Sequence, residues 1–197
     1  MRSSLILIIA LYLKTFVLYG QVKNQHKHVY RCEKIGWSID VPENWKITSE
    51  DDEFVLDSSN RAMLEKTQDT KFDLSKTRKM ISFQKDESNA FESAITPMIE
   101  KYPGQYDEGC REQNKLTYKS LTSLGTRFDS SSSTEIINGH KFNTFSITMY
   151  SPKGYVIIYQ TSYFALINGF DVQMNICYNN DDDKAILLKA LRNSKFK

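Results

Sequence analysis

The chain has 197 residues, 26 Lys and Arg against 24 Asp and Glu, and is 40% hydrophobic and 25% charged, the make-up of a globular protein with a core of its own. Its small excess of base comes from Arg2 and Lys14, which stand in the first twenty residues without an acid, so the remaining 177 residues are electrically balanced. That balance removes any global electrostatic case for nucleic acid or anionic lipid as a partner.

The N-terminus has the organisation of a signal peptide. Arg2 supplies a positive n-region, residues 5–13 are an unbroken apolar h-region, and Lys14 interrupts the run before residues 15–20. The apolar core is thereby held well below the ~20 residues of a membrane span. Gly20 is the small residue at the expected cleavage position, with Leu18 larger than the usual type at minus three. The expectation is a leader over residues 1–20, a polar spacer over residues 21–32 and one domain over residues 33–197, secreted or periplasmic. An uncleaved leader would instead tether the protein to a membrane.

The domain opens on an alternating strand, with Trp37, Ile39 and Val41 on one face, and a turn at Pro42, Glu43 and Asn44. Extended structure resumes at Trp45. Residues 53–56 and 62–67 are weaker strand candidates on either side of the turn-rich residues 57–60, and Met80 begins a better one. Phe91, Ile95, Met98 and Ile99 have helical spacing, but Pro97 would cost a helix interior ~3 kcal/mol. An extended segment over residues 93–101 is therefore expected, closed by Pro103 and Gly104. Residues 107–124 form a helix with Leu116, Leu121 and Leu124 as its apolar points and Gly125 as its stop.

The last third carries the strongest turn signals. Asn138–Gly139 and Asn168–Gly169 are two-residue hairpin turns, and residues 151–154 make another. They divide a four-strand meander beginning near Ser132. Residues 155–164 are rich in aromatic and β-branched side chains on both faces, as in a central, doubly covered strand. In the last strand Phe170, Val172, Met174, Ile176 and Tyr178 alternate with Asp171, Gln173, Asn175 and Cys177. A terminal helix follows, N-capped by the acids at 181–183 and buried through Leu187, Leu188 and Leu191. The fold class is α+β, an antiparallel sheet covered by helices.

The run from Gly36 to Trp45, a strand followed by Pro-x-x-Trp, resembles the opening of PsbP-like proteins. So do the hairpin over residues 137–142, the paired strands flanking Gly154, and a closing helix with Leu187, Leu191, Ser194 and Phe196. The resemblance spans residues 33–197 and lies in the order of these marks. It implies an α/β/α sandwich shared with the extrinsic PsbP subunit of photosystem II, a Ran-binding nuclear import factor and many exported bacterial proteins. It also implies accessory or binding roles rather than catalysis.

Candidate chemistry is sparse. His26 and His28 have a chelating spacing but no third ligand nearby, whereas zinc takes three or four. His140 follows a turn and is expected to be exposed. The acids at 50–53 and 181–183 lack the ligand pattern of a calcium loop. Cys32, Cys110 and Cys177 allow one disulfide in an oxidising compartment, with the pairing open. Trp37 and Trp45 are packing residues before they are a ligand platform, and residues 130–133 are a serine loop. No glycine-rich phosphate loop, nucleophile elbow or zinc-protease motif is present. No catalytic, cofactor or metal residue is assigned and no cofactor is expected. The expected function is a non-enzymatic binding or accessory module for an unidentified envelope or extracellular protein. A hydrolase using carboxylates from separate strands and a membrane-tethered structural protein are the alternatives. Cys177, on the face opposite the apolar one, is expected outside the main core.

Overall fold

The computed structural model describes residues 28–51 and 76–197. The leader, His26 and the two weaker strand candidates lie outside these residues. In chain order the strands are β1 (Val29–Cys32), β2 (Trp37–Asp40), β3 (Lys46–Glu50), β4 (Arg78–Gln84) and β5 (Ala90–Pro97). Helix α1 (Gln105–Ser123) separates them from β6 (Phe128–Ile137), β7 (His140–Tyr150), β8 (Val156–Ile167) and β9 (Phe170–Tyr178). Helix α2 (Asp181–Arg192) and the short β10 (Lys195–Phe196) end the chain. Seven strands form one sheet in the order β3-β4-β5-β9-β8-β7-β6, and β1, β2 and β10 form a second. Every strand pair is antiparallel.

The turn chemistry sets the order of the last four strands. Asn138 (φ 46°) and Gly139 (φ 85°) both occupy the left-handed region, as a type I′ turn requires, and Asn168 and Gly169 repeat the arrangement. β6 to β9 consequently pair in succession, each with the next. β5 then joins β9 over eight consecutive residue pairs, from Ala90–Cys177 to Pro97–Phe170. Pro97 ends that ladder where a missing N–H costs least. β4 shifts register against β5 between Lys79 and Ser82. There Ser93 Oγ accepts from the Ile81 N–H (3.1 Å) and donates to the Ile81 carbonyl (2.7 Å), replacing ladder bonds the bulge removes.

Period-two alternation gives the large sheet two buried faces of opposite character. One face packs Phe83, Phe91, Val172, Met174 and Ile176 against Leu187 and Leu191 of α2 and against Trp37 and Ile39 of the small sheet. Phe83 and Phe91 stack with centroids 4.8 Å apart, and Trp37 lies over Phe91 at 6.2 Å. Burial of each such side chain contributes roughly 1.5–3 kcal/mol. Trp37 and Trp45 are 1% and 2% exposed, so both are core residues and form no platform. The opposite face meets α1 through a smaller cluster of Tyr106, Cys110, Leu121, Phe145, Ile147 and Phe164.

Four expectations are corrected. Residues 29–32 belong to no spacer: they are β1, paired to β2 from Val29–Asp40 to Cys32–Trp37, with Tyr30 and Cys32 buried. The serines at 130–133 are no loop, because β6 begins at Phe128 and pairs with β7 along its whole length. Cross-strand partners outweigh the weak strand preference of serine. The cap of α2 is Asn180, whose side chain accepts from the Asp183 N–H at 2.9 Å, rather than the acids after it. The buried face of α1 keeps only one of its three leucines: Leu121 is buried, but Leu124 is 47% exposed and Leu116 only half-buried, and Gln113, Thr117 and Ser120 fill the face instead. Gly125 does stop the helix. Its N–H bonds the Thr122 carbonyl and the Thr126 N–H bonds the Leu121 carbonyl, the Schellman arrangement.

Candidate functional site

The helix α1 crosses a sheet face whose central rows are polar. Asp171 on β9 is fully buried and accepts hydrogen bonds from Tyr106 Oη (2.6 Å) and Gln173 Nε2 (2.7 Å). Burial pushes its carboxyl up to about 6, against the two donors, which hold it down. Tyr106 is raised well above its ordinary value by the same burial and by the neighbouring carboxyl. Cys110, one helical turn on, is pushed up to about 12 by burial and by Asp171. A thiol so raised is no nucleophile near neutrality. This layer has no route to solvent through Asp171, so it serves packing and register more readily than reaction chemistry.

A cleft of 540 Å³ opens beside it, between α1 and the outer strands β6 and β7. Asp107, Arg111, Asn114, Lys115, Tyr118 and Lys119 line the helical wall, and Ser132, Asn143 and Phe145 line the floor. Contacts fix the helix along the strand. Asn143 Nδ2 donates to Asp107 Oδ1 (2.7 Å), Asn114 Nδ2 donates to Ser132 Oγ (3.2 Å), and the Tyr118 and Phe128 rings meet edge-on at 5.1 Å. Asn143 stands opposite Thr134 in the ladder, so α1 advances from 107 to 118 as β6 runs back from 134 to 128. The two elements lie antiparallel over about 16 Å of helix and about 20 Å of strand.

The electrostatics of the cleft are lopsided. Its lining holds three bases and one acid. That acid, Asp107, is held below its ordinary value chiefly by Asn143, with Lys141 and Arg111 adding to the effect. Lys141 Nζ lies 3.2 Å from it. Lys115 is bonded to Glu112, three residues back on the helix, at 2.7 Å, and both side chains are exposed. Asn114 Oδ1 is buried with no hydrogen-bond partner among the described residues.

Of the residues singled out in the sequence, Cys110, Ser132 and Ser133 line this cleft and the others lie elsewhere. His28 lies 3.3 Å from Glu50 beside β3, and His140 packs on Phe196 at 4.8 Å between ring centroids. Asp183 is 1% exposed and accepts from Lys85 Nζ at 2.8 and 3.0 Å. Burial raises its carboxyl, but Lys85 and Asn180 outweigh that and leave it below its usual range. Among the described residues no group of three His, Cys, Asp or Glu is placed to hold a metal ion. Cys32, Cys110 and Cys177 are free thiols, with Cys177 half-buried and in neither apolar cluster. The cleft itself was missed because only the crossing of α1 over β6 brings Arg111, Lys115 and Lys119 to the serine strand. Their spacing of four along a helix was the one signal available.

No family model matches the chain, and no curated protein does. Among solved structures the chain is similar to cyanobacterial PsbP (CyanoP) from Synechocystis sp. PCC 6803. The TM-score is 0.56 at 9% identity, over 91% of this chain and 99% of that one. At that identity the likeness is one of fold: the chain has a PsbP-like α+β fold.

Proposed function

We propose that the protein is an extracytoplasmic, non-enzymatic binding or accessory module of the PsbP-like family, acting by surface contact with a protein of the envelope or extracellular space. The observation that carries this reading is the α1–β6 cleft, an open, basic, hydroxyl-lined surface alongside an edge strand. The cleft offers a single carboxylate, already engaged with Lys141 and Asn143, where glycosidase-type acid–base chemistry uses two. The signal-peptide organisation of residues 1–20 supports an extracytoplasmic site of action. PsbP-like architecture in CyanoP supports the family assignment.

Cross-linking of the full chain in its native cells, followed by mass spectrometry, tests the reading. A reproducible heterologous partner, cross-linked to surface positions of the folded domain, is the expected result. Recovery of monomer alone across several growth conditions would overturn it. N-terminal mass measurement on the exported protein separates a mature species beginning at Gln21 from a tethered full-length chain.

A further inference from the structure

Strand β6 is ten residues long and ends the large sheet, pairing with β7 and with no other strand among the described residues. A long edge normally carries a blocking device such as proline, a bulge or an inward charge. β6 has neither proline nor bulge: it pairs with β7 without a register shift from Phe128–Met149 to Ile137–His140, and its one inward charge, Glu135, is bonded to Arg192 on the α2 side, away from α1. In a two-residue hairpin the residues flanking the turn, Ile137 and His140, exchange ladder bonds, so Glu135, Ser133 and Ser131 also bond β7. Ser130, Ser132 and Thr134 therefore turn their backbone N–H and C=O groups outward. Their side chains point to the α1 side, as the Asn114–Ser132 bond shows.

Above this open edge runs the basic shoulder of α1. Arg111, Lys115 and Lys119 follow one another at intervals of four residues, about 6 Å along the helix. Alternate residues of a strand repeat every ~6.7 Å. A strand added to β6 would thus present every second side chain to α1 at nearly the spacing of the three bases.

Resting on the binding-module reading, we propose that β6 receives an extended, acidic segment of a partner protein by strand addition, with carboxylates at alternate positions paired to Arg111 and Lys119 and to Lys115, which exchanges its exposed Glu112 partner for the incoming acid. The ladder supplies affinity that is independent of sequence, and the basic row supplies the selection for acid, the division of labour general to strand-addition recognition. Asp107 does not oppose the incoming acids, because Lys141 and Asn143 already occupy its carboxylate.

The test uses the full mature chain and a fluorescein-labelled ten-residue peptide alternating Glu with Thr, against the same peptide with Lys for Glu. Anisotropy is expected to show the acidic peptide binding at least about tenfold tighter, with the gap closing as salt rises. Ser132→Pro removes an outward N–H without taking one from β7 and is expected to weaken binding at least about tenfold relative to Ser132→Ala, which loses the same Asn114 bond, with circular dichroism unchanged in both. The pair Arg111→Glu and Lys119→Glu is expected to abolish the preference for acid. Hydrogen exchange on the unmodified protein provides a readout free of mutation: the amides of Ser130, Ser132 and Thr134 gain protection when peptide binds. Equal binding of the two peptides, or no protection of those amides at saturation, overturns the proposal. So does a dimer of the wild-type chain that Ser132→Pro dissolves, since a second copy would then own the edge. A partner cross-linked elsewhere on the domain would leave the module reading standing while this inference fails.

Discussion

Asp171→Asn separates burial from hydrogen bonding beneath α1. In the folded protein the carboxyl sits at about 6 against an ordinary 3.8, a displacement of about two units caused first by burial. At 1.36 kcal/mol per unit, ionised Asp171 costs the fold about 3 kcal/mol. The direction is the reverse of ordinary acid denaturation. Between those two values the native state holds a proton that the unfolded state has released, so stability falls as pH rises and levels off above the folded pKa. Asparagine preserves the shape and can still meet Tyr106 and Gln173, but carries no charge to desolvate. The variant is expected to be more stable than the parent by up to about 3 kcal/mol above pH ~7, with the difference shrinking by about 1.4 kcal/mol per pH unit below the folded pKa and vanishing near pH ~4. Tyr106 and Cys110, its titratable neighbours, are raised by burial and stay protonated throughout that window. Urea unfolding of both proteins at several pH values measures the difference directly. A difference that is independent of pH, or a variant less stable at high pH than at low, would refute the reasoning.

Three further outcomes follow from the geometry. Asp183→Ala removes a buried carboxylate bonded to Lys85 and Asn180 at the start of α2, and a loss of about 1–3 kcal/mol is expected by thermal or chemical unfolding. Because that carboxyl is depressed in the fold, its contribution is present at neutral pH and fades as pH falls below the usual carboxylate range, so parent and variant should converge in acid. Gly36→Ala places a Cβ at φ +65°, 2.3 Å from the Lys197 carbonyl oxygen, and is expected to cost at least about 1–3 kcal/mol and to release β10, read as lost amide protection at Phe196 and Lys197. Thiol labelling of the native protein should reach Cys177 first and slowly, with Cys32 and Cys110 reacting only on unfolding; labelling of Cys32 at the rate of Cys177 would contradict its place in the core.

Much of the fold was legible where local chemistry and global pairing agree. The Asn–Gly turns at 138 and 168, the stop at Gly125 and the Leu187–Leu191 stripe each act within a few residues, and each stands as the sequence implies. β1 was not legible, because Val29, Tyr30 and Cys32 sit among polar neighbours and acquire strand character only from the register they share with β2. The inner face of α1 misled for a related reason. Gln113, Thr117 and Ser120 turn inward beside Leu121, and leucine spacing cannot reveal the polarity of the surface beneath. The alternation in β9 marked Asp171 and Asn175 as one face, yet not that a helix would bury that face. The cleft was the least legible feature. Its walls come from elements that are separate in sequence, and its floor is a serine run that spacing alone assigns to a loop.

The pairing of β10 with β2 joins Lys195 to Ser38 and Phe196 to Trp37, and the Lys197 N–H donates to the Gly36 carbonyl. These are among the most distant contacts in the described chain, and such contacts close late because their loop entropy must be met first. A growing polypeptide therefore cannot complete the small sheet until residues 195–197 have emerged. Until then the edge of β2 beside Trp37 stays open, and Phe196 cannot cover Trp37, Phe142 and His140. The small sheet thus closes only after every strand of the large sheet has been made. A chain truncated before Lys195 keeps the strands of its large sheet but exposes an aromatic seam and an unpaired edge, a combination that favours aggregation.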